Sequence, residues 1–176
     1  TRDAALTHNH NVAISGSSNK FNYRASLNYK NAEGIAKTSN REELIAKLSA
    51  SQKALDGKLE LQYDMSYMRY RNDFFCGNFK QAAILNPTYP IYDESTASGY
   101  YMPQGTGLTN PVEDMKNRES YQDGNYFRGS IKASYNILDG LKLSAFGAIE
   151  EGDNKKYWYN GVINTDIAGS GKAGRS

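Results

Sequence analysis

One feature constrains this chain more than any other: apolar and polar residues alternate strictly over long runs. From Phe21 to Lys30 one face reads Phe21, Tyr23, Ala25, Leu27 and Tyr29, and the other Asn22, Arg24, Ser26, Asn28 and Lys30. A period of two puts successive side chains on opposite faces of a β-strand. Lys58 to Tyr67 repeats the pattern, with Leu59, Leu61, Tyr63, Met65 and Tyr67 against Lys58, Glu60, Gln62, Asp64 and Ser66. Residues 127–137 set Phe127, Ile131, Ala133, Tyr135 and Ile137 against Arg128, Ser130, Lys132, Ser134 and Asn136. Leu141, Leu143, Ala145 and Ile149 continue it, although Phe146 and Ala148 interrupt the polar side. Asn9 to Gly16 is a shorter run with Val12 and Ile14 on its apolar side. Residues 42–54 fit both periods. Leu44, Ala46, Leu48 and Ala50 share a strand face, but Glu, Leu, Ala and Lys also favour helix. The segment leads directly into a hairpin, so a strand is expected. The fold class is therefore all-β, an antiparallel meander of about six long strands.

The connections have their own order. Gly16-Ser-Ser-Asn-Lys20 is a tight turn, and Leu55-Asp-Gly57 and Leu138-Asp-Gly140 place Asp-Gly between alternating runs, a strong hairpin signal. Residues 31–41 form a medium loop. Residues 71–120 form a very long one that holds all four prolines, Pro87, Pro90, Pro103 and Pro111. Loops of that length are rare in compact domains and are usually functional or disordered. Hairpins alternate between the two ends of a sheet, so the short turns fall on one end and the long loops on the other. Outer-membrane barrels have this asymmetry.

Strand length points the same way. Ten residues rise roughly 33 Å, or roughly 23 Å along the axis at a 45° tilt, close to the apolar band of such barrels. The mean hydropathy of −0.72 fits strands that are apolar on alternate residues only. Tyr is abundant at 14 residues, and Tyr23, Tyr29, Tyr63, Tyr67 and Tyr135 fall on apolar faces. Aromatic girdles at membrane interfaces use such residues, as do ordinary half-buried strands. No apolar run is long enough for a transmembrane helix. A net charge of +2 does not point to nucleic acid. The single Cys76 allows no internal disulfide and is expected to be a loop thiol. Thr1 is not a Met, and Ala168 to Ser176 is rich in Gly. Both ends are expected to be cuts from a longer chain.

Several runs resemble a known family. His8-Asn-His-Asn-Val-Ala-Ile-Ser-Gly16, then Tyr23-Arg-Ala-Ser-Leu-Asn-Tyr29 and Glu33-Gly-Ile35, are similar to the early barrel of SusC/RagA-type TonB-dependent transporters. Ala82-Ala-Ile-Leu-Asn-Pro-Thr-Tyr-Pro-Ile-Tyr92 with Asn110-Pro-Val112 resembles the same family. So does the hairpin from Tyr126 to Ala148 with Ile137-Leu-Asp-Gly-Leu-Lys142 at its turn. The matches run in order from about residue 7 to 150. The resemblance implies that residues 1–162 are part of a 22-stranded outer-membrane barrel, with 163–176 a Gly-rich loop or cut end. It implies import of glycan fragments or peptides, with a SusD-like lipoprotein as lid, a plug domain, and energy from the TonB complex. The alternative is a soluble β-rich module that binds surface carbohydrate or serves in adhesion.

Candidate sites follow from the residues. Tyr89, Tyr92, Tyr100 and Tyr101 lie among Pro and Gly in the long loop, where rings can stack on sugars or dock peptides, or pack the loop against itself. Arg24, Lys30, Lys47, Gln62 and Asp64 fall on the polar strand faces and would line a wet lumen. His8 and His10 share a strand face, but no further ligand lies nearby and a structural role is expected. Glu150, Glu151 and Asp153 are expected to be a solvated loop rather than paired catalytic acids. No nucleophile elbow, phosphate loop or metal-ligand spacing is present. The expectation is a chain that is not an enzyme and takes no cofactor.

Overall fold

The computed structural model describes residues 1–103, 105, 107–161 and the backbone of 172–175. Its strands are β1 (Thr7–Ser17), β2 (Phe21–Glu33), β3 (Asn40–Ala54), β4 (Leu59–Asp73), β5 (Arg118–Leu138), β6 (Leu141–Asn160) and β7 (Lys172–Arg175). They form one antiparallel sheet in sequence order, each strand bonded to the next. The meander expected from the alternation is therefore present, with six long strands and a short seventh.

Residues 42–54 lie within a strand, β3, as their place before a hairpin requires. The turn after it is a single 3-10 turn, Leu55–Gly57, in which Leu55, Asp56 and Gly57 take φ of 52°, 54° and 86°. Gly140, also at φ 86°, closes the β5–β6 hairpin. Left-handed backbone of this kind matches the twist of the flanking strands and favours Gly and Asp. The short turns 18–20, 55–58 and 139–140 share one end of the sheet. The loops 34–39 and 74–117 share the other. Arg2 secures the first of these loops, its guanidinium donating to the carbonyls of Gly34 at 2.6 Å and Ser39 at 3.0 Å.

Four boundaries differ from the sequence expectation. The medium loop spans 34–39, not 31–41, because β2 and β3 stay paired out to Glu33 and Asn40. The long connection spans 74–117, not 71–120, and carries two short helices, α1 (Phe79–Ile84) and α2 (Pro111–Asn117). β5 begins at Arg118, because its first residues, polar on both faces, are held by ladders to β4 and β6 rather than by apolar patterning. β6 likewise runs through Glu150, Glu151 and Asp153, which are strand and not loop. Of the Gly-rich end, 162–171 lie outside the described residues. Lys172–Arg175 pair with Tyr157–Asn160 as β7, a strand imposed by the edge of β6 and not by any alternation of its own.

The register aligns the apolar residues into rows across the sheet. One row joins Ile14, Ala25, Leu48, Met65, Gly129 and Ile149. The band runs from the Leu59–Tyr135–Leu143 row up to the Val12–Leu27–Ala46–Tyr67–Phe127 row. That is nine residues of strand, whose eight steps give roughly 26 Å of chain or roughly 19 Å along a barrel axis at 45° tilt. Above it the same face turns polar on β4 to β6, with Arg69, Asn125 and Asp153 in one row, while Tyr29 and Leu44 continue the apolar side in that row on β2 and β3. Among the described residues nothing covers the band. Tyr70 is the one buried large apolar side chain among them, while Leu27, Ile131 and Phe127 are exposed. A sheet ordinarily buries one face against a second layer, and the described residues supply none.

Candidate functional site in the long connection and on the polar face

The long connection is a folded unit built from caps and turns. Asn78 caps α1, its Oδ1 accepting from Gln81 N at 3.1 Å. The rings of Phe75 and Phe79 stack at 4.5 Å beneath it. Asn86 makes an Asx-turn, accepting from Thr88 N and Oγ1 at 3.0 and 2.9 Å. Ile91 to Tyr101 then form a small hairpin, with a bridge between Tyr92 and Tyr100 and a bond from Tyr101 N to Ile91 O at 3.1 Å. In its turn Asp93 accepts from Ser95 Oγ at 2.6 Å and Ser95 N at 2.9 Å. These bonds hold the Asp93 carboxyl below the usual carboxylate range.

Asn110 ties the unit together. It is buried; its Oδ1 caps α2 by accepting from Val112 N at 3.0 Å, and Pro111 occupies the first helical position. Its Nδ2 donates to Ile91 O at 2.8 Å and Tyr101 O at 3.0 Å, pinning both strands of the hairpin. Beside it, Thr109 Oγ1 lies 2.7 Å from both Gln81 Oε1 and Asp114 Oδ2, linking α1 to α2. Asp114 pairs with Arg118 at 3.1 Å, where β5 begins. Sequence reasoning placed Asn110 in a family motif but did not read it as a helix cap, although Asn followed by Pro is a readable helix start.

The four candidate tyrosines form two pairs. Tyr89 and Tyr101 have ring centroids 5.4 Å apart, as do Tyr92 and Tyr100. Tyr89 and Tyr101, with Pro87, Pro90, Pro103 and Asn110, line a cavity of about 240 Å³. Tyr92 is the most open of the four at 56% exposure, and Lys116 Nζ lies 5.9 Å from its ring. The rings thus pack the loop and still present aromatic surface.

Arg24, Lys30, Lys47, Gln62 and Asp64 all stand on the polar face, opposite in sense to the apolar band. Asp64 accepts from Ser49 Oγ at 2.7 Å. Arg24, Gln62 and Asp64, with Asn22, Ser49 and Ser51, line an open groove of about 330 Å³. Higher on this face Tyr70 and Tyr126 lie 6.1 Å apart with rings 12° from parallel, and Arg41 stands over Tyr70 at 4.9 Å.

The remaining candidates do not converge on chemistry. His8 and His10 rings sit 5.2 Å apart beside Tyr29. Among the described residues no three His, Cys, Asp or Glu side chains gather as metal ligands. Glu150 and Glu151 point to opposite faces. Glu150 pairs with Arg128 at 3.4 Å and Asp153 with Lys155 at 3.3 Å. Cys76 donates to Phe74 O at 3.6 Å, and burial pushes its thiol up.

No family model matches the chain. Individual proteins do. The chain is 32% identical over 133 residues to the TonB-dependent receptor P26 of Formosa agariphila, a match covering 74% of the chain. It is 27% identical over 167 residues to the TonB-dependent receptor SusC of Bacteroides thetaiotaomicron, covering 80% of the chain. The chain matches a segment of a SusC-like TonB-dependent receptor. The matches span 13% and 16% of these two receptors' own lengths. The SusC-like resemblance read from the strand motifs is thereby supported over most of the sequence.

Proposed function

We propose that this chain forms part of the barrel wall of a TonB-dependent importer in the outer membrane of a Gram-negative bacterium. The observation that carries this reading is the uncovered apolar band. Its middle row is continuous across β1 to β6, and among the described residues no second layer hides it. Lipid is the solvent that suits it, since barrel strands present an apolar band about 25 Å tall outward and a polar face inward. A soluble binding module would need a covering layer that the described residues do not supply.

On this reading Arg24, Lys30, Lys47, Gln62 and Asp64 line the lumen, and the 74–117 connection stands on the extracellular side. Its tyrosines contact glycan fragments or peptides as they enter. A SusD-like lipoprotein closes over the loops, a plug fills the rest of the receptor, and the TonB complex supplies energy. The chain's part in this is transport rather than catalysis. The test is deletion of residues 80–118 in the receptor that contains this chain. The flanking strands can be rejoined by a short turn at modest entropic cost. Assembly should survive and uptake should fall. Normal uptake would remove the recognition claim. Failure of the barrel to assemble would make the connection a scaffold instead.

A further inference from the structure

The polar face between β2 and β5 is not balanced in charge. Arg24, Lys47 and Lys132 stand on it, and none of them makes an ion pair among the described residues. The register gathers them around Asp64. Asp64 lies opposite Ser49 on β3 and Ser130 on β5. Lys47 and Lys132 are each two residues along from those partners. They are therefore diagonal neighbours of Asp64, with Cα atoms roughly 7–8 Å away. Arg24 is opposite Ser49 on the far side. Asp64 already accepts the Ser49 hydroxyl, and Glu60, diagonal to Lys132 on the same face, accepts from Gln62, so two occupied carboxylates sit among three unpaired cations.

We propose that this patch receives the anionic groups of the substrate, and that the substrate is an acidic oligosaccharide bearing carboxylate or sulfate. The inference rests on the importer reading, which makes this face the lumen wall. Within a lumen, cations of one sign between low-dielectric walls focus their field and concentrate counter-charged ligand. Between the cations the wall also carries hydrogen-bonding amides and hydroxyls, with Glu60 accepting from Gln62 Nε2 at 3.1 Å. Asn22 Nδ2 donates to Ser51 Oγ at 3.3 Å in the same groove, beside Gln62. Amides and hydroxyls of this kind suit sugar hydroxyls between the charged positions, which favours a glycan over a peptide.

The experiment uses the full-length receptor in an outer membrane that lacks its own copy. Uptake is measured for oligogalacturonate, a sulfated galactan fragment, a neutral maltooligosaccharide and a glutamate-rich peptide. The variant combines Arg24→Gln, Lys47→Gln and Lys132→Gln, with assembly checked by heat-modifiable gel mobility. The acidic sugars should be taken up best, and the variant should lose about tenfold or more of that uptake, as expected for lost charge-assisted bonds. Neutral sugar should be unaffected. Asp64→Asn should favour the acidic sugars further. Equal uptake of neutral and acidic sugars by both forms would overturn the charge inference while leaving import intact. Uptake of the peptide alone would overturn the glycan assignment. Transport of none of the four would overturn the importer reading and this inference with it.

Discussion

The ring of Tyr70 on β4 occupies the space that a β-carbon on Gly124 of β5 would need. Tyr126 does the same over Gly152 on β6. The two rings therefore lie like tiles across three strands, and the glycines are the recesses that receive them. Gly124→Ala should displace Tyr70 and cost about 1–3 kcal/mol, the usual range for overpacking. Tyr70→Ala should remove most of that penalty. A double-mutant cycle on the detergent-solubilised barrel measures the coupling. Additive effects would show that the ring does not depend on the recess.

Met65 and Ser66 are adjacent in β4 but face opposite solvents. Met65 sits in the middle row of the apolar band and Ser66 on the polar face. Met65→Arg should cost about 2–4 kcal/mol, the figure for Arg at a bilayer midplane, while Ser66→Arg should cost little. Folding titrations into lipid vesicles would compare the two. Equal costs would mean that the band does not meet lipid.

Asn110→Ala removes a helix cap and two bonds to the hairpin. The cap alone is worth about 0.5–2 kcal/mol. Hydrogen exchange should speed up at the amides of Tyr101 and Asp93 and stay unchanged in β2 and β3. Unchanged exchange in the hairpin would place its anchor elsewhere.

Asp93 gives the hairpin turn a pH dependence of known sign. Its carboxyl is held low in the folded turn by Ser95. The stabilisation is present above the unfolded carboxylate value and is lost as pH falls through the folded one. The Ser95 amide should become exchange-labile on acidification into that window, and Asp93→Asn should flatten the response. Loosening on alkalinisation instead would contradict the assignment.

The sheet was legible in the sequence because its two faces meet different solvents. Phe21 to Lys30 and Lys58 to Tyr67 need no tertiary information to be read as strands. The upper part of β5 was not legible. From Arg118 to Asn125 both faces are polar, and only the ladders to β4 and β6 reveal a strand. β7 was hidden for the same reason, since Lys-Ala-Gly-Arg has no pattern until an edge templates it. In the long connection, residue types flagged the tyrosines. Their pairing through Asn110 depends on contacts between residues up to 19 positions apart, which no local pattern encodes.

The extension of β5 and β6 past the apolar band has a mechanical consequence. From Arg118 to Tyr126 the sheet continues for nine residues above the row of Tyr67 and Phe127. That is roughly 30 Å of strand, or roughly 21 Å of height at 45° tilt. In an importer these strands form a stiff parapet, with β5 paired to β6 throughout and to β4 from Tyr121 onward, and wet on both faces. The folded connection is carried on top of it. A large ligand meets it well clear of the lipid headgroups, and a docking partner must bridge that stand-off or rest upon it.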